Sequence, residues 1–171
     1  MLTRLLKSVR YPDMADRFNE LHRQRGDLDL QGRVREMIPV QLGIVAETEK
    51  TGRVRDLANA WNYLSALYHR VREYDRAEQA ARKALEVYAG DPSPSAESLG
   101  CYQFKLAQIL AAQGRFAEAV AFAEAGVRSY GVFHDPPDDF LKARQEEAAL
   151  MRDFMQRAAG AAESRDGRMP E

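Results

Sequence analysis

The chain has one cysteine, Cys101, in 171 residues, so it can form no internal disulfide. It needs no oxidising compartment and is expected in a cytoplasm. Nor does any apolar run approach the roughly 20 residues of a membrane-spanning helix. Charge of one sign is missing too: 25 basic residues stand against 26 acidic ones. That balance leaves no global field to draw in nucleic acid or an anionic membrane. Alternating Val/Ile/Thr runs and Asn-Gly turns are lacking, which removes the usual signals of strands and hairpins. There is no glycine-rich phosphate loop, nucleophile elbow or paired-carboxylate arrangement, so an enzyme is not expected. His22, His69 and His134 stand far apart, with no second ligand at metal spacing. Asp27-x-Asp29-x-Gln31-Gly32 starts like a calcium loop, but the twelfth position is Ile38 where a bidentate glutamate is needed. Neither a metal nor a cofactor is expected.

What remains is rich in Ala, Leu, Glu, Arg and Gln, all good helix formers. Leu2, Leu5, Leu6 and Val9 have helical spacing with basic residues between them. They predict a short amphipathic cap helix docking on the next hairpin, with a membrane-surface helix as the alternative. Pro12 suits the first turn of a second helix, which should run to about Arg25 and end at Gly26. Gly26 to Gly32 reads as a loop. A helix from Arg33 to Lys50 follows, with an apolar stripe of Val34, Met37, Ile38, Leu42 and Val45. Pro39 within it should kink or split it.

From here one pattern is written twice, the second copy displaced by the interval from Leu57 to Leu99. Leu57, Leu64, Leu67, Tyr68 and Tyr74 fall on Leu99, Leu106, Ile109, Leu110 and Phe116. Ala77, Ala81, Leu85 and Tyr88 fall on Ala119, Ala123, Val127 and Tyr130. Each copy reads as two helices joined by a turn too short for anything but an antiparallel hairpin. The copies span residues 53–90 and 96–131. Pro136 follows Pro94 at the same interval. Ser93 or Ser95 is the expected N-cap of the second copy, and Asp138-Asp139 that of the last helix, residues 139–159, which keeps only Leu141, Ala148 and Met151 of the pattern. Residues 160–171 read as a frayed tail. One hairpin cannot bury its apolar face alone; stacked neighbours can.

Trp61-x-x-Leu64-x-x-x-Tyr68, followed by Tyr74-x-x-Ala77, Ala81 and Ala84, resembles a tetratricopeptide repeat. Leu106-x-x-x-Leu110 with Gly114-Arg115-Phe116-x-x-Ala119 resembles a second. The usual period is about 34 residues; the longer one here is similar to the variety found in kinesin light chains and many bacterial proteins. The resemblance implies an all-α superhelical solenoid of three to four antiparallel hairpins, capped at both ends, in a single domain over residues 1–160. In that family the first helix of each hairpin lines a concave surface. The expected partner-binding residues are therefore Asn59, Asn62, Tyr63 and Arg70 in one copy and Phe104, Lys105 and Gln108 in the next. Amides would pair with the backbone of an extended peptide, the aromatics would anchor it, and the cations would meet its carboxylates. The implied function is non-catalytic binding of a protein or peptide, as an adaptor or regulatory scaffold. A self-associating homodimer and an accessory subunit of an enzyme are the alternatives.

Overall fold

The computed structural model describes residues 14–132 and 138–166, with side chains from 16 to 157 within that span. The expected helix over Leu2–Val9, the break at Pro12, His134 and Pro136 lie outside the described residues. Those described form seven helices and no strand: α1 (Met14–Leu30), α2 (Val34–Thr51), α3 (Val54–Arg70), α4 (Tyr74–Tyr88), α5 (Ala96–Ala112), α6 (Phe116–Gly131) and α7 (Asp139–Asp166).

The first six helices make three antiparallel hairpins, closed by the same backbone device. Gly32, Arg72 and Gly114 each adopt the left-handed conformation, at φ 68°, 62° and 77°. Their N–H groups donate to the carbonyls of Asp29, His69 and Ala111. The next residues, Arg33, Glu73 and Arg115, donate further back, to Leu28, Tyr68 and Leu110. This pair of bonds is a Schellman closure, which satisfies the last carbonyls of a helix while turning the chain. Arg72 takes it up despite its Cβ, where the other two hairpins use glycine.

The first hairpin is thus a repeat as well, which corrects the expected loop over Gly26–Gly32. Helix α1 passes through Gly26, and Asp27 and Asp29 belong to its last turns. Helix α2 likewise continues through Pro39 without splitting. The sequence hides this repeat because its period is shorter: the closing turns at Gly32 and Arg72 stand nearer in the chain than those at Arg72 and Gly114. Side-chain sizes are also redistributed. Where α4 presents Ala77, Ala80, Ala81 and Ala84, α2 presents Met37, Val40, Gln41 and Ile44, all buried. Close approach of α1 and α2 comes instead at Gly43, where a Cβ would meet Leu21 at 3.3 Å.

The main core runs through the stack from α3 to α7. Leu64, Tyr68, Leu106, Ile109 and Leu110 interdigitate with the alanine faces of α4 and α6, and Ala148 and Met151 close it from α7. Each fully buried leucine contributes about 1.5–3 kcal/mol of transfer free energy. Between α5 and α6 the backbones approach at two glycines. A Cβ on Gly100 would lie 2.9 Å from the Tyr130 nitrogen, and one on Gly126 would lie 2.8 Å from the Phe104 ring. Helix α7 turns Leu141, Ala148 and Met151 inward. At the positions matching Gly100, Gln103, Ala107 and Leu110 it carries exposed Lys142, Gln145, Ala149 and Arg152. That solvated face ends the stack as a capping repeat does. The Asp138 carboxylate accepts from the Leu141 N–H at 2.7 Å and caps the helix. Ser95 does the same for α5, accepting from the Ser98 N–H at 3.3 Å. Helix α7 extends to Asp166, past the expected end near Ala159.

Candidate functional site: the cleft between the first two hairpins

Successive hairpins leave a slot between their first helices, floored by the helix between them. In the slot between α3 and α5, Tyr88 from α4 and Tyr102 from α5 meet edge to face at 5.0 Å, and both are buried. In the slot between α5 and α7, Tyr130 and Phe104 pack with Leu141, and Phe140 lies over Tyr130 at 4.8 Å. The equivalent positions between α1 and α3 carry Thr48 and Ala60. Two small residues replace two tyrosine rings, and a cleft of about 490 Å³ results.

The cleft has an ordered polar wall. Gln41 on α2 is fully buried, its amide donating to the Ala60 carbonyl at 2.8 Å. That bond spans α2 and α3 and orients the other end of the amide, whose oxygen accepts from Arg25 at 2.9 Å. The Arg25 guanidinium lies over the Tyr63 ring, 4.2 Å from its centroid. A second guanidinium nitrogen lies 3.3 Å from His22 Nδ1. Since arginine only donates, Nδ1 accepts and the imidazole proton sits on Nε2. Burial, and then the charge of Arg25, lower the His22 pKa from its ordinary value, in keeping with a neutral ring. His22 Nε2 is itself buried and makes no hydrogen bond.

Arg25 has no carboxylate within ion-pair distance among the described residues. The other charges around the cleft are paired: Arg53 with Asp56 at 2.9 Å, and the buried Glu47 with Arg17 at 3.1 Å and Lys50 at 2.9 Å. Phe18, Ile44 and Ala60 supply an apolar wall. The cleft therefore carries one uncompensated positive charge beside a hydrophobic surface.

A family model described as tetratricopeptide repeat matches residues 56–130. Two crystal structures of nearly identical, kinesin light chain-type TPR-like repeats from Podosopora anserina share the fold. One superposes with a TM-score of 0.71 at 21% identity, covering 86% of this chain and 70% of that one. The other gives 0.56 at 17% identity, covering 90% and 78%. No curated protein sequence matches the chain.

Residues 56–130 thus match the tetratricopeptide repeat, and the chain shares the fold of TPR-like repeats. Within this fold the seven residues expected to bind a partner fall into separate environments. Asn59 and Tyr63 line the first cleft. Asn59 also accepts from the Tyr102 hydroxyl at 2.7 Å. Asn62 is half-buried, its Oδ1 without a hydrogen bond. Arg70 is exposed and pairs with Asp29 at 3.1 Å, tying α3 to α1. Lys105 donates to Gln108 at 3.0 Å, and Gln108 donates to Glu147 on α7 at 3.2 Å. Burial, then Arg144, lower the Lys105 pKa. Phe104 is not the exposed anchor that its spacing predicts; it is 5% exposed and belongs to the core. Its ring occupies the space that Gly126 leaves by lacking a Cβ. The hairpin before it has Asn62 and Ala84 at those two positions. The cleft residues His22, Arg25, Gln41 and Thr48 carry no motif that marks them in the sequence. Comparing Thr48 and Ala60 with Tyr88 and Tyr102 finds them, but only with the first hairpin recognised as a repeat. Cys101 is half-buried, and burial raises its thiol pKa, which argues against a nucleophile.

Proposed function

We propose that this protein is a non-catalytic adaptor that holds a protein or peptide segment along the face formed by α1, α3 and α5. The observation that carries the reading is the cleft between the first two hairpins, where Arg25, stacked on the Tyr63 ring, sets a charge beside the apolar wall of Phe18, Ile44 and Ala60. Repeat architectures of this kind are built for extended contact surfaces, and a few aromatic and arginine anchors usually dominate such contacts. No helix among the described residues is long and apolar enough to cross a membrane. A cytoplasmic setting suits the protein, since its one cysteine needs no oxidising environment.

The test is affinity capture from a native lysate with the wild-type chain and with Asn59→Ala/Tyr63→Ala. Both residues line the cleft and neither is in the main core, so circular dichroism should be unchanged. The double variant should lose the specifically captured partner. An unaltered set of captured proteins would remove the cleft from the interaction surface.

A further inference from the structure

The outer side of the first hairpin departs from the pattern of the next. Counted from the closing turns, Pro39, Leu42, Gly43 and Ala46 of α2 match Gln79, Arg82, Lys83 and Glu86 of α4. An apolar stripe thus replaces a polar one, with Leu42 42% exposed and Pro39 and Ala46 also facing solvent. Beside the stripe, between α1 and α2, runs a groove of about 600 Å³ with Leu21, Leu28 and Val40 in its lining. Its edge on α1 is acidic: Asp16, Glu20 and Asp27 fall on one side of that helix, all exposed. Asp16 and Asp27 have no ion-pair partner among the described residues. The other end of the stack has no such surface, since α7 turns Lys142, Gln145 and Arg152 to solvent.

This surface fits a short helix with an apolar stripe and cations along one side of it. The chain's first ten residues, outside the described ones, have that composition. Leu2, Leu5, Leu6 and Val9 repeat the spacing of Pro39, Leu42, Gly43 and Ala46, and on a helix Lys7 and Arg10 flank them on one side. Small residues at Gly43 and Ala46 leave room for the leucines of an approaching helix. The reach also fits. The ion pair of Arg17 with Glu47, at 3.1 Å, sets the start of α1 beside the last turns of α2. Tyr11-Pro12-Asp13 gives the chain one residue more for reversal than Gly52-Arg53 gives it between α2 and α3. Ten helical residues then rise about 15 Å, which exceeds the roughly 10 Å from Ala46 to Pro39. The cleft on the concave side repels these cations, because Arg25 stands there without a carboxylate. A second copy could bring the cations of α7 to the acidic edge, but its polar face would leave the apolar stripe uncovered.

We propose that residues 1–10 dock as a helix on the outer side of the first hairpin, with Leu2, Leu5, Leu6 and Val9 against the α2 stripe and the basic side chains over the acidic edge of α1. The chain's own basic segment then covers the convex end of the stack and leaves the cleft at Arg25 open. The inference is independent of the adaptor reading, which concerns the opposite side of the hairpin.

Hydrogen exchange of the full chain, read by mass spectrometry, tests it. Amides of residues 2–10 should exchange about tenfold or more slower than in an unstructured peptide, and equally so at all protein concentrations. Leu42→Arg/Ala46→Glu, which copies Arg82 and Glu86 of α4 at two exposed positions, should abolish that protection. So should Leu5→Asp/Leu6→Asp, whereas Tyr63→Ala in the concave cleft should leave it intact. Circular dichroism checks that each variant is folded. Should Leu42→Arg/Ala46→Glu fail to fold, Asp16→Lys/Asp27→Lys takes its place and should weaken the protection. Four results would overturn the proposal: unprotected amides in the wild type, protection that survives the outer-face variant, protection lost in Tyr63→Ala, or protection that grows with protein concentration. The third would put the segment in the cleft, and the fourth would make a second copy the occupant.

Discussion

Between α1 and α3 the inter-hairpin slot is polar and open; between α3 and α5 the matching slot is shut by two tyrosines. The backbone is not what distinguishes them, since all three hairpins close with the same pair of turn hydrogen bonds. Two positions per repeat make the difference. At the end of each second helix stands Thr48, Tyr88 or Tyr130. On the next first helix the facing residue is Ala60, Tyr102 or Arg144. In the second slot the rings also carry structure: the Tyr88 hydroxyl accepts from the Ser95 N–H at 2.6 Å and donates to its carbonyl at 3.0 Å. That holds the Pro-containing loop against the hairpin, while Arg55 pairs with Asp91 at 3.0 Å from the other side. A solenoid can thus devote one slot to cohesion and leave another for contact without changing its fold.

The largest expected break in this comparison is Tyr88→Ala. It removes a ring that is 1% exposed, together with both hydroxyl bonds to Ser95. The loss should be about 3–5 kcal/mol, as for other large buried aromatics. Tyr63→Ala in the first slot deletes the same side chain where it is only partly buried and should cost clearly less. Urea unfolding followed by circular dichroism measures both. Equal losses would mean that the first slot is as much a part of the cohesive core as the second.

A smaller effect is expected in the third slot. Gly126→Ala drives a methyl group to 2.8 Å from the Phe104 ring and 3.1 Å from the Gly100 carbonyl. Overpacking of this kind costs about 1–3 kcal/mol. Adding Phe104→Asn recreates the Ala84 and Asn62 pair of the preceding hairpin and should recover part of that loss, so the two changes should be non-additive. Strict additivity in denaturation midpoints would show that the glycine is not there for the ring.

This pair also marks how far the sequence can be read. Helices α3 to α6 are legible nearly to the residue, because their apolar spacing and small-residue faces repeat at one interval. The end of helix α1 is not, since Gly26 followed by Asp27 and Asp29 imitates a helix end, while Leu28 and Met37 actually bury that turn. The site is less legible than the fold. Spacing on a helical wheel puts Phe104 on the open face, but the wheel cannot register that Gly126 on another helix makes room for it. Arg25 is invisible for the same kind of reason. Its role depends on Gln41 and Tyr63, which lie on two other helices and are brought to it only by packing.

The smallest effect concerns protons in the first slot. His22 has a lowered pKa, chiefly from burial and then from Arg25. His69, at the end of α3, is lowered by burial and then by Lys105, with Glu147 opposing. A histidine whose folded pKa lies below its unfolded value binds its proton more readily in the unfolded chain. Its contribution to stability is therefore neutral above the unfolded pKa and becomes unfavourable as pH falls through that value. Stability should decline between about pH 7 and pH 5, before carboxylates begin to protonate. His22→Asn, which places the Asn62 side-chain type in the first slot, should make that decline shallower. If urea midpoints of wild type and His22→Asn fall in parallel across this window, the imidazole is not held neutral beside Arg25, and the donor assigned to Nε2 goes with it.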